Sequence, residues 1–436
     1  MIGFSNTHGT RLCAWLGCAA IVTGLLCSAS FGAEPAPRPP ASAGAVSLTV
    51  DEAMGLFLKQ NLDLLIAQYG IDSAKGLEVT ARLFPNPTLS ADVTGSMTQS
   101  FGQVGVLALR IDQLFELAGK RGHRQESARY GVQSAEASFA DAVRTLGFAV
   151  KDAFYHVVQA KQKLELAKQN SANFAEVVKI NDIRFKKGAI PEVDVIKLRV
   201  QLVDFQNQVI TATQDYLTEQ NTLRGLLGLK PTVVLNVAGD LEYKSRTLSV
   251  ETLKADALLS RPDVLAKNRN VSQKDANLKL ARAFRVPDVT IGADTAMQGP
   301  QGPNSPHQYG LGLSVPLPLF NRNQGGILQA EADLKAAQTD LGKTRLLVEI
   351  DVENAYRDFT QTQMLVQAYR GGAVNDATEV KDIATKAYQR GGTTILDLLD
   401  AFRTFNTTMQ GYIDALYTYQ RSLLEIDAAV GREVTR

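Results

Sequence analysis

From "SLTVDEAMGLFLKQN" onward, apolar positions recur at three-to-four spacing. The pattern predicts a helix that Ser47 or Thr49 can cap and that runs to about Leu83, where "FPNP" stops it. The period then drops to two. Leu89, Ala91 and Val93 alternate with Ser90, Asp92 and Thr94, which is the pattern of a strand over about 86–96. A Gly/Ser/Gln loop follows. A second strand over about 104–114 carries Leu107, Leu109 and Ile111 on one face and Arg110 and Asp112 on the other.

The hairpin pattern returns later in the chain. Val289, Ile291 and Ala293 alternate with Asp288, Thr290 and Asp294 (about 287–297), and Tyr309, Leu311, Leu313 and Val315 alternate with small residues (about 308–316). After each hairpin comes a long helical stretch without proline, from about Gly119 to Lys187 and from about Gly325 to Arg390. Such a stretch is a rod on the order of 100 Å long at about 1.5 Å per residue. A return helix runs back from each rod to Gly228 or Gly431.

The two halves are copies. "RFKKGAIPEVDVIKL" (184–198) and "AYQRGGTTILDLLDA" (387–401) place Gly188 and Gly391, Asp194 and Asp397, and the terminal Gly228 and Gly431 at one common offset of 203. Arg82, Phe84 and Pro87 likewise match Arg282, Phe284 and Pro287. A duplicated unit occupies 33–230 and 251–436, and the connector 231–250 has some strand character.

Composition adds the compartment. The apolar stretch from Trp15 to Phe31 follows Arg11 and ends in small residues before "EPAPRPP", so residues 1–32 read as a secretion signal cleaved between Ala29 and Ala33; the alternative is a membrane anchor. Cys13, Cys18 and Cys27 all lie in it, which leaves the mature chain no disulfide or thiolate chemistry, and lipidation of one of them is the minor alternative. Its removal takes away Arg11 and no acid, so the net charge goes from +1 to 0 and gives no argument for nucleic acid. His123, His156 and His307 are far apart and the methionines are scattered, so no metal site is expected; no hydrolase triad or phosphate loop appears, and the chain reads as a non-enzyme without cofactor.

Strands with one apolar and one polar face suit either half of a soluble sandwich or an outer-membrane barrel. Four strands cannot close a barrel, and open edges are not tolerated in lipid. In a membrane, other copies of the chain must complete the sheet. The Ala-rich helices carry a narrow apolar stripe that packs as a coiled coil and, standing on a barrel, would continue its pore.

With these features, nearly the whole mature chain resembles the TolC-type outer-membrane efflux protein family. That resemblance implies a mainly α fold with a membrane β-barrel: long helical hairpins forming a periplasmic tube, and four strands per chain closed as a twelve-stranded homotrimer in outer-membrane lipid. It also implies a periplasmic adaptor and an inner-membrane pump of the resistance-nodulation-division (RND) class as partners. "PNPTLS", "FELAGKRGHR" and "VPLPLFNRNQGGI" are similar to the heavy-metal branch, whose cargo is cobalt, zinc, cadmium, nickel or copper class cations.

Matched to the family's tip, Tyr388 takes the place of a gate tyrosine bonded to an aspartate, here Asp194, and Asp397 and Asp400 that of a lumen-facing acidic ring. The family arginine is replaced by Thr393. Lys187, Gly188, Arg390 and Gly391 are the expected adaptor contacts. Asp397 and Asp400 are three apart and hence on one helical face, where they would gather cations; the alternative for Asp397 is a helix-capping role. Export of drugs, solvents or proteins by the same architecture, or a periplasm-spanning structural coiled coil, are the competing readings.

Overall fold

The structure, a computed structural model, describes residues 46–94, 106–297 and 307–435; the expected signal segment with its cysteines lies outside them, as do nearly all residues of both hairpin loops. In chain order the first repeat holds β1 (Val46–Leu48), α1 (Val50–Gln60), α2 (Leu62–Arg82), β2 (Thr88–Thr94), β3 (Val106–Phe115), α3 (Lys120–Lys186) and α4 (Glu192–Leu226). The connector carries β4 (Leu235–Val237). The second repeat holds α5 (Val250–Ser260), α6 (Pro262–Ala283), β5 (Val289–Met297), β6 (Gln308–Ser314), α7 (Gln324–Ala368), a π-helical turn (Tyr369–Ala373), α8 (Val374–Gln389) and α9 (Ile395–Val430).

Thr49 is the cap of α1: its hydroxyl accepts from the Glu52 amide, and the Glu52 carboxylate accepts from the Thr49 amide. The single helix expected up to Leu83 is two. Asn61 leaves helical geometry for one residue, its amide still closing α1 on the Phe57 carbonyl while its side chain accepts from the Leu64 amide at 2.8 Å and starts α2. The Asn61 Nδ2 also donates to the Leu226 carbonyl at 2.8 Å, so the break holds α1 and α2 against the end of α4. Arg261 makes the equivalent break ahead of Pro262, whose ring suits the first position of α6.

The second rod also departs from expectation. α3 is continuous over 67 residues, but its counterpart is interrupted by the π-helical turn, where Gly372 takes φ 152°. Only glycine enters that region readily, and "YRGGA" supplies it.

β2, β3, β5 and β6 form one antiparallel sheet in that order, the repeats joining where Phe115 pairs with Val289. Leu89, Ile111, Ala293 and Leu311 share one row and Ala91, Leu109, Thr295 and Tyr309 the next, giving one exposed, largely apolar face. On the other face Arg110 bonds to Asp112 at 2.8 Å and lies 3.8 Å from Asp294. A Cβ on Gly312 would stand 3.1 Å from that guanidinium, so glycine is what lets the arginine lie flat on the sheet. Among the described residues, no further strand pairs with the outer edges of β2 and β6.

Helices α2, α3, α6 and α7 pack side by side in the order of the strands they adjoin. Mid-length, β1 pairs in parallel with β4, and Phe57, Phe154, Leu223, Val237 and Tyr419 form the main core around this pair. A second, separate cluster lies near the far ends of the hairpins.

Candidate functional site at the hairpin tips

The hairpins α3/α4 and α8/α9 end in turns with the same hydrogen bonds. Gly188 and Ala189 donate to Phe185 and Arg184, and Gly391 and Gly392 to Tyr388 and Ala387. This is a six-to-one helix closure that needs a left-handed residue, and Gly188 (φ 70°) and Gly391 (φ 76°) provide it. Lys187, Gly188, Arg390 and Gly391 are all exposed at these turns.

Behind them Phe174, Val177 and Val178 of α3, Leu198 and Phe205 of α4, Tyr388 of α8, and Ile395, Leu398 and Phe402 of α9 bury one another. Phe174 is central, its ring centroid 4.9 Å from Phe205 and 5.3 Å from Phe402. All four tip helices therefore share one apolar core. These aromatics form no motif in the sequence, where the one signal is three phenylalanines within 17 positions of the glycine turns, on three different helices.

Tyr388 is 7 % exposed, and among the described residues its hydroxyl has no hydrogen-bond partner. The bond to Asp194 implied by the family resemblance is absent. Asp194 lies half-buried in the first turn of α4, close enough for its charge to act on the phenol: burial first, then Asp194, push the Tyr388 pKa up, and Arg184 opposes them. Arg184, not anticipated from sequence, reaches across from α3; its Nη1 donates to the Tyr388 carbonyl at 3.4 Å and its guanidinium stands 5.6 Å from the ring. Contact across 204 positions leaves no local trace.

Thr393 does not replace the missing arginine in kind. Its hydroxyl donates to Asp397 Oδ2 at 2.7 Å, and the Thr394 hydroxyl and amide donate to the same oxygen at 2.6 and 3.0 Å. The Asp397 amide returns a bond to the Thr394 hydroxyl, completing a capping box at the start of α9. The Thr394 and Thr393 hydroxyls and the Thr394 amide hold the Asp397 carboxyl below its ordinary range, so it stays ionised. Asp397 thus has the capping role while remaining exposed, and Asp400 is exposed one turn on.

The tip is a charged, exposed rim on a packed apolar core, without a nucleophile–base pair, at the end of rods that begin at an amphipathic sheet. The family model described as "Outer membrane efflux protein" matches residues 53–229 and 253–432. The cobalt-zinc-cadmium resistance protein CzcC of Cupriavidus metallidurans is 25 % identical over 88 % of this chain and 90 % of its own. Nodulation protein T of Rhizobium leguminosarum bv. trifolii is 25 % identical over 86 % and 83 %. Among solved structures, CusC, studied for folding and transmembrane channel formation, superposes with a TM-score of 0.75 at 17 % identity, covering 89 % of this chain and 93 % of its own.

Proposed function

The chain belongs to the outer membrane efflux protein family, whose members are channels of the Gram-negative outer membrane that reach into the periplasm and are not enzymes, and on that premise we propose that three copies form the export duct of a heavy-metal efflux pump. The observation that carries the assembly is the four-stranded sheet with an exposed apolar face and two outer edges unpaired among the described residues. Unpaired backbone groups at those edges cost several kcal/mol each in hydrocarbon, roughly, so further copies must pair with them. Three copies give twelve strands. Native mass measurement in mild detergent reads the stoichiometry, and a stable monomer refutes it.

The duct works passively. Asp397 and Asp400 at the narrow end give six carboxylates in a trimer, and a ring of like charge in reduced dielectric concentrates cations. Energy comes from an inner-membrane RND pump, joined through a periplasmic adaptor that seats on the twin glycine turns. Lys187→Cys and Arg390→Cys should crosslink to that adaptor. Crosslinking only from Ser96 or Asn304, in the hairpin loops outside the described residues, would reverse the orientation.

Similarity to the cobalt-zinc-cadmium resistance protein over most of both chains supports divalent metal cations as cargo. A second reading, organic solutes, is favoured by a relative named as a toluene efflux pump component in Pseudomonas putida, 25 % identical over 65 % of this chain. Deleting the gene and comparing tolerance to zinc, cobalt, cadmium, nickel and copper with tolerance to drugs and detergents separates them. Loss of solvent or drug tolerance with metal tolerance intact refutes the metal cargo.

A further inference from the structure

The motif "VPLPLFNRNQGGI" (315–327) is left unused by the duct. It aligns without a gap on Ile111–His123 of the first repeat, which places Leu319 on Phe115, Phe320 on Glu116, Asn321 on Leu117 and Gln324 on Lys120. The structure supports the alignment, because Gly119 (φ 69°) and Asn323 (φ 58°) are both left-handed and both immediately precede the long helices α3 and α7.

In the first repeat this stretch packs on the segment that leads into β5. Phe115 pairs with Val289, the Leu117 amide donates to Asp288 Oδ1 at 3.0 Å, and the buried Lys120 Nζ donates to the Val286 carbonyl at 2.7 Å and to Asp288 at 2.6 Å. Lys120 also stands 5.3 Å from the Phe284 ring. In the second repeat the same stretch follows the edge strand β6, and Leu317, Leu319 and Phe320 are left exposed, Phe320 at 92 %. Leu83–Thr88, the counterpart of Ala283–Asp288, leads into the opposite edge strand β2, and Leu83 and Phe84 are exposed as well.

We propose that these two half-seams meet between copies: Leu319–Gln324 of one chain packs on Leu83–Leu89 of the next, as Phe115–Lys120 packs on Ala283–Val289 within a chain. The proposal rests on the trimer reading and adds the residues that hold it. A closed ring then has six related seams, three inside chains and three between them.

The chemistry differs between the two kinds of seam in a way that suits their timing. The internal seam uses the ion pair Lys120–Asp288; the outer one has Gln324 and Thr88 at those positions, with Phe320 for Glu116 and Leu83 for Ala283. An edge that waits for its partner thus carries no lysine whose burial depends on that partner, since one member of a buried pair left alone is strongly destabilising. Pro316 and Pro318 remove two backbone donors from this part of the edge, so its contact is made by side chains. An open groove of about 650 Å³ runs beside Leu83 and Phe84, lined also by Leu77, Leu280, Arg124 and Asn277.

Cysteine pairs test the seam in membranes, on the chain with its own cysteines confined to 1–32. Leu319→Cys with Leu89→Cys, and Asn321→Cys with Thr88→Cys, should each give a ladder of crosslinked dimers and trimers on oxidation, while Phe115→Cys with Val289→Cys crosslinks within one chain and gives none. Phe320→Ser should raise the concentration at which the trimer dissociates roughly ten- to hundredfold. A trimer by native mass with no ladder, and Phe320→Cys quenched by a lipid-soluble probe, would mean that lipid covers the motif and overturns the seam alone. A monomer by native mass overturns the trimer and the seam together.

Discussion

Phe174→Ala should uncouple the two hairpin tips. Phe174 is fully buried where α3, α4 and α9 meet, its ring tilted against Phe205 and edge-on to Phe402. Deleting a buried phenylalanine costs about 3–5 kcal/mol, the lost burial and the cavity together. The two ring contacts account for roughly 1–3 of that. The tip cluster shares no residue with the core around β1 and β4, so the loss stays at the tip as a local opening. At 1.4 kcal/mol per factor of ten, a loss of about 4 kcal/mol speeds amide exchange roughly a thousandfold. Hydrogen–deuterium exchange should show this acceleration along 174–205 and 384–405, with Val150–Val158 unchanged, and single-channel conductance should rise. Unchanged exchange at α8 and α9 would refute the idea that this cluster ties the hairpins, as would equal acceleration in the mid-length core.

Asp397→Asn with Asp400→Asn should lower cation selectivity and relieve block by trivalent ions in planar bilayers, with trimer mass intact; unchanged selectivity would reduce Asp397 to its capping role. Tyr388→Phe should leave conductance unchanged, because the hydroxyl it removes makes no hydrogen bond among the described residues, and a rise would reveal a bond formed only in the assembly. The Asp263 carboxyl is pushed up by burial, but the Arg261 bonds at 3.0 and 2.6 Å outweigh this and hold it below its ordinary value. A depressed carboxylate stabilises fully above its unfolded pKa of about 3.9 and loses that contribution as pH falls through the folded value. The difference in Tm between wild type and Asp263→Asn should therefore be constant from about pH 5 to 8 and close below roughly pH 4.

The strands of the four-stranded sheet were readable because alternation and register share a period of two, whereas the three-residue β1 (Val46–Leu48) ahead of the first helix was not anticipated. The twin tips were readable because glycine at a left-handed position cannot drift without cost. Asn61 was hidden for the opposite reason: the bend takes a single residue and the apolar period carries across it. The π-helical turn was passed over because it contains no proline, although two adjacent glycines marked it. The surroundings of Tyr388 were unreadable, since Arg184 and Asp194 reach it only after two hairpins pack. A family match could place Thr393 at the arginine position but could not foresee that its hydroxyl would turn back to Asp397.

The π-helical turn makes the duplicated halves mechanically unequal. In each chain α3 is an unjointed stave, while α7 and α8 are two lengths meeting at Gly372, beside Tyr369 packed over Gly411. A stiff stave transmits a sideways load along its whole length, whereas a jointed one yields at the joint, where the regular hydrogen-bond ladder is already interrupted. A load applied at the turns is thus taken up first by the hairpin that carries Tyr388, Asp397 and Asp400, while the hairpin with Gly188 keeps its line. In the trimer proposed above, three yielding staves alternating with three stiff ones would widen an aperture by rotation of every second hairpin, and the remaining three would hold the length and alignment of the tube.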